Sequence, residues 1–175
     1  MTSTAEPTAA PDLIDHLSGI QPGTHLHAVR HARDKVASAT QGSHDLFFDP
    51  ALENSLSLNE RLWVAYYAAR LTPHTTLAAH YLEQLSASAV NESVRIAVDS
   101  EALETLDDTR LRAILSFTRT LIESPVHGDR AALQRLQDEG LSTAEIVVLA
   151  QLIAFLSYQV RLAAGLGALL SAGAA

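Results

Sequence analysis

The chain of 175 residues contains no cysteine. That excludes disulfide staples, thiolate nucleophiles and zinc sites built on sulfur. Cations are scarce too: one lysine, Lys35, and eleven arginines face 20 Asp and Glu, leaving a formal net charge of −8. The arginines are scattered rather than grouped, and nucleic-acid binding draws on clustered cations to neutralise phosphate, so no nucleic-acid partner is expected. Aromatic residues make up 5% of the chain, with six Pro and eight Gly. So few breakers and β-favouring side chains, in a sequence dominated by Ala and Leu, favour helix over strand. Long apolar runs are also missing. The uncharged stretch from Ile146 to Val160 falls short of the roughly 20 residues of a membrane span. It also contains Gln151, Ser157 and Gln159, and reads as a buried helix, with no membrane partner expected. Residues 1–10 lack the basic start and apolar centre of a signal peptide. They are expected to form a flexible N-terminus, and the expected location is cytoplasmic. There is no phosphate-binding glycine loop, nucleotide fingerprint or Ser-His-Asp order.

What remains is enough apolar sequence, 47% of the chain, for one all-α domain over residues 11–175. Residues 11–50 read as an N-terminal helical extension and 51–175 as the core. Asp12 or Pro11 can open a short helix ended by Gly19. A second helix starts near Thr24 and continues through the 30s, and Asp49-Pro50 closes the extension. Ser57 with Glu60 forms a capping box, in which each side chain satisfies the other's free amide. Leu58, Leu62, Ala65, Tyr66 and Ala69 share the inner face of the helix it starts. Thr72-Pro73 ends that helix, because Pro73 cannot extend the turn before it but fits the first turn of the next. The next helix buries Leu77, Tyr81 and Leu85.

After a polar stretch from Asn91 to Asp99, Asp107 or Asp108 caps a periodic helix through Leu111, Ile114, Leu115, Thr118, Leu121 and Ile122. Pro125 and Gly128 stop it. Asp129 opens another helix, Gly140 closes it, and Ser142 with Glu145 makes a second capping box. The helix that follows is apolar nearly all round, so it either runs through the core or packs on another subunit. Gly165 and Gly167 within it allow close helix approach, as at an oligomer interface. The two capping boxes open comparable units, residues 57–89 and 142–170, a possible pseudo-repeat.

Several side chains carry chemistry. His27 and His31, four apart on one helical face, can bind a metal, with Asp34 three further on as a carboxylate ligand. The plainer reading is a solvated helix face. His80 is a candidate general base. With Glu60, Arg61, Trp63 and Tyr67 on the preceding helix it could line a small polar pocket; otherwise it is a hydrogen-bonded core histidine. Arg161, alone in an apolar helix, is expected to be buried against an acid such as Glu60 or Glu123, or to lie at a subunit interface.

Residues 56–80, LSLNERLWVAYYAARLTPHTTLAAH, resemble the centre of the alkylhydroperoxidase D and carboxymuconolactone decarboxylase superfamily, a group that includes antioxidant peroxidases. Residues 133–161, LQRLQDEGLSTAEIVVLAQLIAFLSYQVR, look like the closing helices of its peroxidase-related branch. Residues 12–24, DLIDHLSGIQPGT, resemble an extension found in a subgroup of its decarboxylase-domain proteins. The resemblance implies an alkylhydroperoxidase D-like helical bundle that forms a homo-oligomer. Members carry a glutamate on one helix and a Cys-x-x-Cys-x-x-x-His motif opening the next. His80 matches the motif histidine. Pro73 and Thr76 stand on the two cysteine positions, and Arg61 on the glutamate position. Glu60 lies one residue away, a rotation of about 100° around the helix.

The family's peroxidase chemistry needs one thiolate to attack the peroxide oxygen and a second thiol to resolve the sulfenic acid. Neither is present. The leading expectation is therefore a catalytically degenerate, cofactor-free member kept as a scaffold, or as partner of a companion alkylhydroperoxidase-domain protein. The alternative is a cofactor-free enzyme acting on lactones or keto acids, or a small-molecule binder. There His80 would move protons and an arginine would hold a carboxylate.

Overall fold

The computed structural model describes residues 12–53, 56–87 and 90–173; the N-terminal tract 1–10 and Pro11 lie outside them. Among the described residues the chain is all-α, with nine α-helices and no strand. Helix α1 (Leu13–Ser18) is capped by the Asp12 side chain, and Gly19 ends it at φ 75°, a left-handed conformation that suits glycine. The helix expected from Thr24 through the 30s is two helices. Thr24 caps α2 (His25–His31), and α3 (Asp34–Phe47) begins after Arg33. Neither glycine nor proline marks this break. At this break Arg30 and His31, in the last turn of α2, pair with the aspartates of α1.

The capping box of Ser57 and Glu60 opens α4 (Leu58–Leu71). Every residue from Arg61 to Ala69 is buried, so the single inner face read from the sequence becomes a helix enclosed on all sides. It packs against α5 (Thr75–Ser86), α7 (Thr109–Glu123) and α9 (Thr143–Ser171). Helix α4 ends at Thr72 as expected, but the His74 ring caps α5, so Pro73 lies before the first turn of α5 rather than in it. Leu77, Tyr81 and Leu85 are fully enclosed.

The polar stretch 91–99 is in fact α6 (Glu92–Asp99), capped by Asn91, with Val94, Ala97 and Val98 turned inward. Asp108 caps α7, and Asp129 caps α8 (Arg130–Asp138). The second capping box, Ser142 with Glu145, opens α9. This helix runs 29 residues without a break, so the second unit is one helix where the first is a hairpin, and the pseudo-repeat is limited to the caps. By length and composition α9 could cross a membrane, but half of its most apolar window is buried against the rest of the fold. Arg110 joins the two boxes. Its Nε donates to Glu60 at 2.7 Å and its Nη2 to Glu145 at 2.6 Å, so one guanidinium clamps the starts of α4 and α9.

Candidate functional site

The residues expected to surround His80 do not converge on it. Arg61 is 1% exposed. Its Nε donates to the Leu56 and Ser57 carbonyls at 3.0 and 3.4 Å. Both Nη nitrogens donate to the Asp49 carbonyl at 3.0 and 3.1 Å, and Nη1 also to that of Phe47. Burial lowers its pKa, and the nearby carboxylates of Asp49 and Glu60 raise it again. The side chain is a bracket that holds the connection between α3 and α4 to the start of α4. Glu60 is equally committed, to the Ser57 amide at 2.7 Å and to Arg110.

Trp63 and Tyr67 are core residues rather than pocket lining, 1% and 0% exposed. Trp63 meets Tyr66 edge-on, with ring centroids 6.0 Å apart. The Tyr67 hydroxyl accepts from Arg119 Nε at 2.6 Å; burial raises its pKa and the arginine opposes that. The neighbouring Tyr66 hydroxyl is pushed up to about 12, first by burial and then by its hydrogen bond to Asp99. Pro73 and Thr76 are exposed at the start of α5.

His80 is half-buried. The Gln84 amide nitrogen lies 2.7 Å from its Nε2, an arrangement in which the amide donates and the ring nitrogen accepts. Burial lowers the pKa of His80, helped by His44, whose ring centroid is 6.1 Å away. His44 is lowered by burial as well, against the raising effect of Asp45, and its Nε2 is buried without a hydrogen-bond partner. His80 thus has the low basicity of a neutral proton acceptor, but the acceptor nitrogen is already engaged. Arg161 is exposed rather than buried against an acid, and its Nη1 donates to the Ser157 carbonyl of its own helix at 2.7 Å. It is neither buried nor paired with Glu60 or Glu123.

The better-formed cavities lie elsewhere. One, of about 360 Å³, opens between α7 and α8 beside Arg112, Ser116, Arg135 and Glu139. The other, of about 560 Å³, is an apolar groove between α2–α3 and the second half of α9, lined by Val29, Val36, Tyr158, Leu162, Leu166 and Leu169.

The N-terminal helices hold the densest cluster of chemical side chains. His27 and His31 share a face of α2 as expected, their ring centroids 4.4 Å apart. The expected third ligand, Asp34, is exposed on α3 beside the Ser38 hydroxyl. Asp15 of α1 takes the place expected for it: its Oδ2 is 2.6 Å from His31 Nε2 and 3.9 Å from His27 Nε2. Asp15 is sixteen residues from His31 in sequence, so no local spacing rule points to it. The available signal was charge: an acidic pair, Asp12 and Asp15, in one short helix, followed by a helix carrying His27, Arg30 and His31.

Compared with known proteins, the chain matches no family model and no curated protein sequence.

Proposed function

We propose that this chain is a catalytically degenerate protein of alkylhydroperoxidase D-like architecture, kept as an assembly scaffold that pairs with a second copy of itself and serves a companion alkylhydroperoxidase-domain protein. The observation that carries this reading is the state of Arg61. At the position where the resemblance calls for a catalytic glutamate stands a buried cation with all three nitrogens on backbone carbonyls. Such a residue fixes structure and is not available to a substrate. The cysteine positions offer an exposed ring and a hydroxyl that cannot cycle between redox states, and His80 has its acceptor nitrogen engaged by Gln84.

Self-association is supported by the groove along α9. Val36, Tyr158 and Leu169, all on its walls, are 56%, 42% and 45% exposed, an unusual display of large apolar side chains on one concave surface. A second copy presents the same helix, and burying such a surface favours association through the hydrophobic effect.

Two assays on untagged protein test the two halves of the proposal. Steady turnover of an organic hydroperoxide with a dithiol reductant would overturn the degenerate reading; none is expected. Native mass spectrometry should find a closed homo-oligomer that Leu169→Glu disperses to monomer. A wild-type monomer would overturn the assembly half.

A further inference from the structure

We propose that Asp15, His27 and His31 form a binding site for one borderline divalent first-row cation of the Zn²⁺ or Co²⁺ kind, which fastens α1 to α2. The proposal is independent of the scaffold reading and uses none of its residues.

The donors are already gathered. Two imidazole Nε2 atoms, four residues apart on α2, meet the same carboxylate oxygen of Asp15, at 3.9 and 2.6 Å, and the three ligand atoms lie within 4.8 Å of one another. A tetrahedral centre with bonds of about 2.0–2.2 Å keeps its ligands roughly 3.4 Å apart. The two contacts fall on either side of that spacing and the third pair lies within 4.8 Å, so adjustments of about 1.5 Å or less would admit the ion. Two imidazoles and one carboxylate suit Zn²⁺, Co²⁺ or Fe²⁺, whereas Mg²⁺ and Ca²⁺ prefer all-oxygen sets.

A second observation is independent of that geometry. Asp15 is only 8% exposed, and its Oδ1 has no hydrogen-bond partner. Arg30 Nη1 stands 3.1 Å from it, within ion-pair distance but without hydrogen-bond alignment. A buried carboxylate is costly unless its oxygens are met; Arg30 partly offsets the charge at Oδ1, and a cation between the two imidazoles would meet Oδ2, the oxygen that faces them. The surroundings tolerate the added charge. Asp12 grips Arg30 through both its oxygens, at 3.0 and 3.1 Å, while its Oδ1 also accepts the Asp15 amide. Asp12, Asp15 and Arg30 together carry one net negative charge before any metal arrives. Arg30 Nη1 also lies 3.1 Å from His31 Nε2, so it must swing off that nitrogen when the ion binds, while Asp12 keeps hold of Nη2. Both histidine side chains are 29% exposed, which gives an ion a way in and leaves a fourth position to water.

The test uses the full chain without a purification tag, stripped with chelator and titrated with Co²⁺ alone. One equivalent should produce the intense visible bands of a four- or five-coordinate cobalt ion, which Zn²⁺ then bleaches. His27→Gln and His31→Gln should each weaken uptake about tenfold or more. Asp34→Asn and His44→Gln should leave it unchanged. Far-UV circular dichroism establishes that the glutamine variants fold. In wild type alone, Zn²⁺ should also raise the thermal midpoint, as a ligand of the folded state does. Absent bands in wild type, or uptake equal in wild type and both glutamine variants, would overturn the site.

Discussion

A guanidinium presents five N–H donors in a rigid fork. In Arg61 that fork faces the carbonyls of residues 47, 49, 56 and 57, of which Ser57 also accepts the first backbone bond of α4 and Asp49 the Leu52 amide. Arg61→Met keeps the aliphatic packing but removes the side-chain donors from all four carbonyls in a buried place. The expected loss is roughly 3 kcal/mol of unfolding free energy, read from urea denaturation. A change below about 0.5 kcal/mol would contradict the bracket role. His44 and His80 predict a pH dependence. Burial lowers both pKa values from 6.5, so the unfolded chain takes up protons more readily than the folded one. Their contribution is least adverse above about pH 6.5 and turns destabilising as pH falls below it. The groups facing them include His16 of α1, Asp45 of α3 and Glu83 of α5. The urea midpoint should fall between about pH 7.5 and pH 5.5, and less so in a His44→Gln, His80→Gln double variant. Equal slopes would refute it.

At the scale of elements, the clamp between α4 and α9 is the feature that local patterns do not contain. Each capping box is visible as Ser-x-x-Glu, and each Glu completes its box without Arg110. Arg110 adds a link between the two helices, reaching Glu60 50 residues before it and Glu145 35 residues after it in sequence. Burial disfavours its charge, yet Glu60 and Glu145 hold its pKa above the ordinary arginine value. The side chain is 31% exposed, so solvent screening limits the effect; Arg110→Ala should cost about 1–2 kcal/mol. A double-mutant cycle with Glu145→Gln should give a coupling of about 0.5 kcal/mol or more. Strict additivity would mean that the two boxes act separately. Other elements were less legible. Caps and breakers gave the starts of α1, α2, α4, α7, α8 and α9, and the break before α5 though not its His74 cap. The break between α2 and α3 has no local marker, and α6 was hidden because Asn91, Glu92 and Ser93 make its first turn look like loop.

For the molecule as a whole, the order of burial decides which helix is central. Composition pointed to α9 as a helix that runs through the core or packs on another subunit; within the chain α4 is the enclosed one, and α9 leaves Val147, Tyr158 and Leu169 exposed. Helix α9 meets α5 through a deep polar contact, the Tyr81 hydroxyl donating to Gln159 Oε1 at 2.6 Å with both residues buried. Burial raises the Tyr81 pKa, so the phenol stays protonated and donating. Tyr81→Phe and Gln159→Leu should each cost about 1–3 kcal/mol, because each leaves the other's polar group unmet. The double variant should cost less than the sum, measured by chemical denaturation. Full additivity would count against a shared bond.

The sequence by itself determined that the chain is helical, where most of its helices begin, and that it carries no thiol chemistry. These are local facts, written in propensity, capping residues and composition, and they hold wherever the helices finally lie. Only the tertiary structure decided what the charged side chains do. Arg61 faces a loop rather than a pocket, Arg161 lies in solvent, and Asp15 replaces Asp34 beside the two histidines. The physical reason is range. A helix fixes its neighbours three and four residues away, whereas the partner of a buried charge is chosen by which elements pack together, and no spacing within one helix encodes that.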